Sequence, residues 1–408
     1  MKAAIISIGN ELLLGKTINT NMAYLGAELA KLGIPVELCL TIKDEPSEIK
    51  EALGITWGKY DLVISTGGLG PTEDDLSKAA IAEFFGQEMR FDDEVWEHVQ
   101  NMFSRRNMPT PELNRNQALV PEAFTALKNE RGTAPGLCYA HEGKLFFAFQ
   151  GVPLEMKYIF ETHAKDIILA KYPQLQPVYQ RTIHTHGISE SKLAGLFTWS
   201  DVPQGVNLAW LPQTGRVDMR FYGVDKEKVD ATVAKATKTL APYVWGYDNE
   251  SPATALYKLM TAKKATLATA ESCTGGWLGK MLTDIAGASE FYLGGVNSYS
   301  NELKVSALKV REDTLKQYGA VSEECAREMV SGVKALTGAS HAISITGIAG
   351  PGGGTKDKEV GTVFFGFMAG DCTWYAKQLF LGDRDSIRRK ATEFAILEML
   401  RYLQGRVG

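Results

Sequence analysis

Asp61-Leu62-Val63-Ile64-Ser65-Thr66-Gly67-Gly68-Leu69-Gly70-Pro71-Thr72-Glu73-Asp74-Asp75 decides the fold. Asp61–Ser65 is a short apolar run that reads as a buried strand. A glycine-rich turn follows, and a helical pattern continues over Asp74–Phe85. The same arrangement returns at Ala270-Glu271-Ser272-Cys273-Thr274-Gly275-Gly276. A turn of this kind, at the carboxyl end of a parallel strand, is where α/β folds place ligand sites. The first turn is built to hold a phosphorylated ligand with a metal, and the second offers a hydroxyl nucleophile. One chain is therefore expected to carry two separate sites.

Working outward, residues 1–172 alternate strand and helix. Strands are expected at Ala3–Ile8, Pro35–Thr41, Asp61–Ser65 and Lys144–Phe149. Helices are expected at Asn19–Leu32, Asp74–Phe85 and Asp93–Phe103. In the first of these, Met22, Leu25, Leu29 and Leu32 form one stripe. Pro153 opens a further helix at a position that tolerates proline. This alternation predicts a three-layer, doubly wound α/β domain with a parallel sheet. Residues 173–247 read differently. A strand (Val178–His184), a helix (Ser189–Phe197), a hairpin (Val206–Leu211 with Val217–Tyr222) and a helix (Lys226–Leu240) make a small α+β module. Tyr247 to Pro252 is a linker by its turn residues. Residues 252–408 return to α/β. Helices are expected at Ala253–Ala262, from Thr274, from Ser322 as cap and from Ser386. The strands are Thr266–Thr269, Ala342–Ile345, Thr362–Phe367 and Thr373–Leu381.

A chain of 408 residues is too long for one ordinary core. The net charge of −4 and a pI near 6.0 argue against an electrostatic footprint for nucleic acid. No apolar run reaches the roughly 18 residues of a membrane span. The N-terminus enters a strand directly, so no signal peptide and a cytoplasmic location are expected. Five scattered cysteines without a CxxC pair fit free thiols in a reducing compartment. His184 and His186 point to one face of a strand. A metal could sit there, and surface polarity is the simpler account.

At the first site, Gly67, Gly68 and Gly70 let backbone N–H groups approach one anion, aided by the following helix dipole. Thr72 suits the helix N-cap. Asp74 and Asp75 either stabilise that helix terminus or bind a metal or a ribose hydroxyl. Three other loops should meet this edge: Gly9-Asn10-Glu11, the Asn129–Gly136 loop with Gly132 and Thr133, and Gly151 to Met156. Glu11, Asp74, Asp75 and Glu155 could surround one pocket. Carboxylates beside a phosphate cradle imply a divalent ion, since bare like charges would repel the substrate.

At the second site, Ser272 stands on a strand-to-helix turn without the GxSxG pattern of α/β-hydrolases. Its base could be His341, for which a structural role is the simpler account. Lys304 is the better candidate, because a desolvated lysine has a lowered pKa. The Thr346–Gly354 loop offers an oxyanion hole or a phosphate cradle. Arg384, Arg388 and Arg389 at a helix start suggest a local anion. Cys273 is a rival nucleophile ranked below the serine.

Together these segments closely resemble the CinA family, the competence/damage-inducible proteins. The first part resembles molybdopterin-binding domains of the MoaB/MogA type through Gly9 to Gly15, Asn19-Thr20-Asn21, Gly67 to Asp75, Gly132 to Gly136 and Gly151 to Met156. The middle module resembles a KH-like domain. The last part is similar to nicotinamide-nucleotide amidases through Glu271 to Gly276, Tyr299 to Lys304, Thr346 to Gly354 and Gly382-Asp383-Arg384. The resemblance implies hydrolysis of nicotinamide mononucleotide (NMN) to nicotinic acid mononucleotide and ammonia without a cofactor. Ser272 would be the nucleophile, Lys304 the base and Tyr299 an assisting hydroxyl. Thr274, Gly275, Asn301, Thr346, Gly347, Gly350, Gly352, Gly353 and Arg384 would bind substrate. The first domain would be an ADP-ribose pyrophosphatase, with Gly9, Asn10, Glu11, Gly67, Gly68, Gly70, Thr72, Asp75, Gly132, Thr133 and Gly136 on the substrate. Asp74, Asp75 and Glu155 would hold a divalent metal. A homodimer is implied, with no membrane and no nucleic acid as partner. A non-catalytic binding module, or a competence-related interaction partner, is the alternative. One departure is visible: the family's Leu-Pro before Gly-Val-Pro is Phe149-Gln150 here.

Overall fold

The structure is a computed structural model that describes residues 1–70, 76–213 and 216–406. The chain divides into two compact units, Met1–Tyr179 and Gln180–Gly408.

The first unit runs β1 (Ala3–Ile8), α1 (Asn10–Leu13), α2 (Thr20–Lys31), β2 (Val36–Ile42), α3 (Pro46–Trp57), β3 (Leu62–Thr66), α4 (Ser77–Phe84), β4 (Met89–Phe91), α5 (Asp93–Ser104), β5 (Leu119–Pro121), β6 (Thr125–Leu127), β7 (Gly136–His141), β8 (Lys144–Phe149), α6 (Pro153–Ile159) and α7 (Lys165–Lys171). Six strands form one sheet in the order β2-β1-β3-β8-β7-β6. Every residue of β1 is buried, as expected of a central parallel strand covered on both faces. Alternate residues feed two cores. Ala4, Ile6 and Ile8 meet Ile49, Leu53 and Ile81 on one face. Ala3 and Ile5 meet Leu25, Leu29, Met156 and Ile159 on the other. These are the three layers the alternation predicts.

The sheet differs from the expected all-parallel one. β2, β1, β3 and β8 are parallel, but β7 and β6 run antiparallel. Glu142 and Gly143 both take positive φ between β7 and β8, which makes a tight hairpin. Helix α3, with Pro46 at its start, Gly54 in its interior and Gly58 at its end, was missed between two strands. The expected start of α4 at Asp74 lies outside the described residues, as does its expected cap Thr72.

The second unit runs β9 (Tyr179–Thr185), α8 (Glu190–Leu196), β10 (Asn207–Gln213), β11 (Arg216–Gly223), α9 (Lys226–Thr239), β12 (Val244–Tyr247), α10 (Pro252–Ala262), β13 (Leu267–Glu271), α11 (Trp277–Thr283), β14 (Tyr292–Asn297), α12 (Asn301–Leu308), α13 (Glu312–Tyr318), α14 (Glu323–Thr337), β15 (His341–Gly347), β16 (Thr362–Ala369), β17 (Cys372–Leu379) and α15 (Arg384–Leu403). Its sheets are β10-β11-β9-β12 and β14-β13-β15-β16-β17. β14, missed from sequence, carries Gly294 and Gly295, and glycines weaken a strand signal. Gly295 packs under Thr269 and Tyr292. The residues His184 and His186, read as surface polarity, are both buried. His184 Nδ1 lies 3.0 Å from Asp218, and its ring stacks on Trp245. Among the described residues no helix is long and apolar enough to cross a membrane.

Helix α14 buries Ala326, Met329, Val330 and Val333, the expected stripe. Gly332 lets it cross α12 closely, because a Cβ there would run into the Leu308 carbonyl. Alanine normally stabilises a helix interior over glycine by about 1 kcal/mol. Here the sign should reverse: Gly332→Ala is expected to lower stability by about 1–3 kcal/mol through overpacking. A denaturant midpoint that stays constant or rises would contradict this.

Candidate active site

β13 pairs in parallel with β14 on one side and β15 on the other. The chain therefore leaves β13 in one direction and returns past it in the other, and a crevice opens at the carboxyl ends. Three loops meet there. Ser272 follows β13 directly and donates its N–H to Ile345 O at 2.9 Å, while Ser298 N donates to Glu271 O at 2.8 Å. The ladder thus holds the serine from both sides.

The turn after Ser272 needs its glycines. Gly275 and Gly276 have φ of 59° and 91°, a left-handed pair that costs a side chain little only when that chain is absent. The buried Glu271 carboxylate accepts from Gly276 N (3.0 Å), Leu278 N (3.1 Å) and Gly279 N (2.8 Å). It thereby satisfies the first N–H groups of α11, which otherwise have no partner. Arg388 of α15 closes the turn from outside, donating to Cys273 O at 3.1 Å and Thr274 O at 2.7 Å. Its guanidinium lies over Trp277. The local anion suspected for this arginine is therefore two main-chain carbonyls. Arg389 pairs with Asp385.

Lys304 is on α12, whose first turn is set by Ser300 as N-cap to Leu303 N. The lysine is 1% exposed. Its Nζ lies 3.0 Å from Ser272 Oγ, 2.6 Å from Ser298 O and 3.3 Å from Tyr299 O. Burial lowers its pKa. Two buried thiols nearby provide no counter-charge, because burial pushes Cys273 up to about 12 and Cys325 up to about 11. Cys273 is accordingly a thiol, not a thiolate, at neutral pH. His341 sits at the opposite end of β15 and contacts Ser340 Oγ at 2.8 Å.

The crevice has a volume of about 270 Å³ and is lined by Ser272, Cys273, Tyr299, Arg384 and the glycine loop from Gly347 to Gly353. Arg384 donates to Gly350 O at 2.7 Å and to Tyr299 Oη at 3.1 Å, so it joins two walls. Of the residues expected on the substrate, Thr346 turns its hydroxyl to Ala320 O at 2.7 Å. Thr274 is fully buried with an unpartnered hydroxyl. Gly275 and Asn301 are exposed outside the lining. The roles of Glu271 and Arg388 were missed. A glutamate between an apolar strand and the serine was the signal for the first, and nothing local signals the second.

In the first unit, β1 pairs with β2 on one side and β3 on the other, giving a second switch point. Gly67 and Gly68 take φ of 115° and 67° there, and Gly67 N donates to Phe149 O at 3.0 Å. Asn21 Nδ2 ties Thr66 Oγ1 (3.0 Å) to Gly151 O (2.8 Å). Gln150, where the family pattern has proline, donates to Ala134 O at 2.8 Å and Pro135 O at 2.6 Å. It replaces ring rigidity with two hydrogen bonds. Gly132 lies directly against the Glu155 carboxylate, and Gly9 against that of Glu11. Asn10 and Glu11 are exposed, whereas Gly70 and Thr133 are half-buried. Gly136 packs under Ile159, so it serves the core rather than a ligand. Asp44, passed over in the sequence, accepts from Ser77 Oγ at 3.3 Å beside Gly68.

A metal fits these residues only in part. Glu155 Oε2 accepts from Asn129 at 2.6 Å, and burial raises this carboxyl's pKa. Among the described residues no three His, Cys, Asp or Glu side chains gather as a metal site. Thr72, Asp74 and Asp75 lie outside the described residues.

Comparison with known proteins agrees with this division. Residues 249–403 match the "CinA C-terminal domain", and residues 4–170 match the "Probable molybdopterin binding domain". A CinA-like protein of Syntrophomonas wolfei is 38% identical over 411 residues, covering 98% of this chain and 99% of that protein. A CinA-like protein of Thermotoga maritima is 36% identical, with 99% of each chain covered. The crystal structure of the competence damage-inducible protein A of Klebsiella pneumoniae is 38% identical, covers 38% of this chain and 95% of its own, and has a TM-score of 0.37. The chain belongs to the CinA family, with a molybdopterin-binding-like domain at its N-terminal end.

The Glu271 arrangement gives a direct test. Glu271→Gln turns an N–H₂ group toward main-chain donors and is expected to cost about 1–3 kcal/mol. The measurement is the denaturant midpoint at constant slope. A neutral result would show that the carboxylate does not hold the turn.

Proposed function

We propose that the crevice of the second unit hydrolyses the carboxamide of NMN, giving nicotinic acid mononucleotide and ammonia. The observation that supports this reading is the buried amine of Lys304 at 3.0 Å from Ser272 Oγ, beneath an open cleft. Neutral Lys304 takes the serine proton as Oγ attacks the carboxamide carbon. The glycine loop supplies main-chain donors for the oxyanion. The tetrahedral intermediate collapses, the C–N bond breaks, and Lys304 returns the proton to the departing ammonia. Water then cleaves the acyl ester, with Lys304 as base again. Arg384, fixed across the cleft, suits the substrate phosphate. No step calls on a cofactor.

Ser272→Ala should lower ammonia release from NMN by roughly 10³-fold or more, and retained turnover would refute the nucleophile. The base must be neutral to act, and its neutral fraction grows as pH rises through its pKa. Burial places that pKa below the ordinary 10.5. The rate of the intact enzyme should therefore climb with pH along a limb centred below 10.5. A limb that persists in Lys304→Arg would assign it to another group.

For the first unit the proposal is an ADP-ribose pyrophosphatase acting with a divalent metal. The metal would neutralise charge on the diphosphate, and Asp74, Asp75 and Glu155 are its proposed holders. The glycine cradle at the β1/β3 switch point supports a phosphorylated ligand. The bond from Asn129 to Glu155 favours a second reading, a module that binds such a ligand without cleaving it. Release of AMP from ADP-ribose should be stimulated by added Mg²⁺ or Mn²⁺. Binding of ADP-ribose without metal-stimulated AMP release would select the module. A homodimer acting on these small molecules in the cytoplasm completes the proposal.

A further inference from the structure

Within the second unit, a second cleft of about 360 Å³ lies between the β9 end, β11, β17 and the outer half of α15. Arg216 lines it with a side chain only 17% exposed. Its nearest acids are Asp218 at 3.8 Å from Nε and Glu393 at 4.0 Å from Nη1. Both distances are too long for hydrogen bonds, and neither nitrogen donates to any protein acceptor. The guanidinium rests over the Trp245 ring instead. Arginine cannot shed its charge, so the group is a largely buried cation without a hydrogen-bonded partner on those two nitrogens. Burial also raises the pKa of Glu393, which weakens the acid of α15 that lies 4.0 Å from it.

The neighbouring groups repeat the pattern. His186 is 7% exposed and its Nδ1 has no partner, while Nε2 lies 3.6 Å from Glu398. Glu398 is already taken by Arg401 at 2.9 Å, and Arg401 Nε is itself unpartnered. Lys390, which also lines the cleft, donates to the Leu381 carbonyl. Phe380 and Phe394 also line the cleft, with ring centroids 6.0 Å apart, and Phe394 meets the His186 ring at 5.9 Å. Unmet polar nitrogens beside aromatic rings suit an acceptor group on a flat apolar body. The cleft's size falls at the lower end of small-molecule sites, about 300–1,000 Å³. A planar guanidinium matches the paired oxygens of a phosphate.

We propose that this cleft is a second ligand site, which binds a nucleoside monophosphate with the phosphate on Arg216 and the base against Phe380 and Phe394. It shares no lining residue with the Ser272 crevice, although both draw on α15. The proposal does not rest on the amidase reading.

The test is calorimetric titration of the full chain with AMP, inorganic phosphate and adenosine. Beside any AMP bound at the two switch-point sites, the wild-type chain should show an AMP-binding event that Arg216→Gln weakens by about 10–100-fold, the loss of one charge-assisted contact. Gln378→Glu, which adds a carboxylate to the wall from the partly exposed strand β17, should weaken the same event. It guards against misfolding of the Arg216 variant. Ser272→Ala and Arg384→Gln should retain it. Isotherms unchanged in both cleft variants, or an event lost in Arg384→Gln instead, would overturn the proposal. Adenosine binding as tightly as AMP would remove the anion from the argument, and phosphate binding as tightly would remove the base.

Discussion

A lysine amine buried against a serine hydroxyl is the constraint around which the second unit is arranged. An ammonium in that position loses its water shell and finds two carbonyl oxygens and one hydroxyl in exchange. Carbonyl dipoles replace only part of the hydration, so the neutral form gains relative to the charged one. The thiols of Cys273 and Cys325 belong to the same logic. They are buried deeply enough to stay protonated, and a thiolate there would restore the lysine's charge. The amine meets carbonyl dipoles and protonated thiols rather than a counter-charge.

Holding the pair in place requires three elements with no local relation. The β13 ladder positions Ser272, the N-cap of α12 points Lys304 inward, and α15 brings Arg388 against the carbonyls of Cys273 and Thr274. Glu271 adds a fourth restraint from within the motif. A buried carboxylate is costly unless it is hydrogen-bonded, and three main-chain donors meet that need. The turn can therefore be tight and glycine-rich without being loose. Arg384 performs a similar service across the cleft, where it links the Tyr299 hydroxyl to the glycine loop.

The first unit uses the same topological device with different chemistry. Its switch point gathers glycines and amide side chains rather than a serine and a buried lysine. Asn21, Asn129 and Gln150 stitch the loops after β3, β6 and β8 through carbonyl, hydroxyl and carboxylate acceptors. Gln150 is instructive because proline would have rigidified the same loop by its ring. The glutamine does so through its amide, at the expense of a carbonyl oxygen left without a partner.

Much of this was legible in the amino-acid order alone. Periodicity located β1, β8, α2, α5 and α14, since each buries a regular stripe or an unbroken apolar run. The strand–glycine–helix pattern marked both switch points, and Ser272 with Lys304 stood out as the chemical candidates. Local pattern failed where neighbours replaced it. β14 is held on β13 through Thr269 and its own Tyr292 despite its glycines, β6 has only three residues, and β7 opens on a glycine and ends in exposed residues. His184 and His186 alternate like surface residues, yet α15, Asp218 and Trp245 cover them. Whether Thr346 faces the cleft, what Arg388 grips and how little partners Arg216 were decided only by tertiary packing. Each depends on a group brought from a distant part of the chain, and no spacing along one segment encodes that distance.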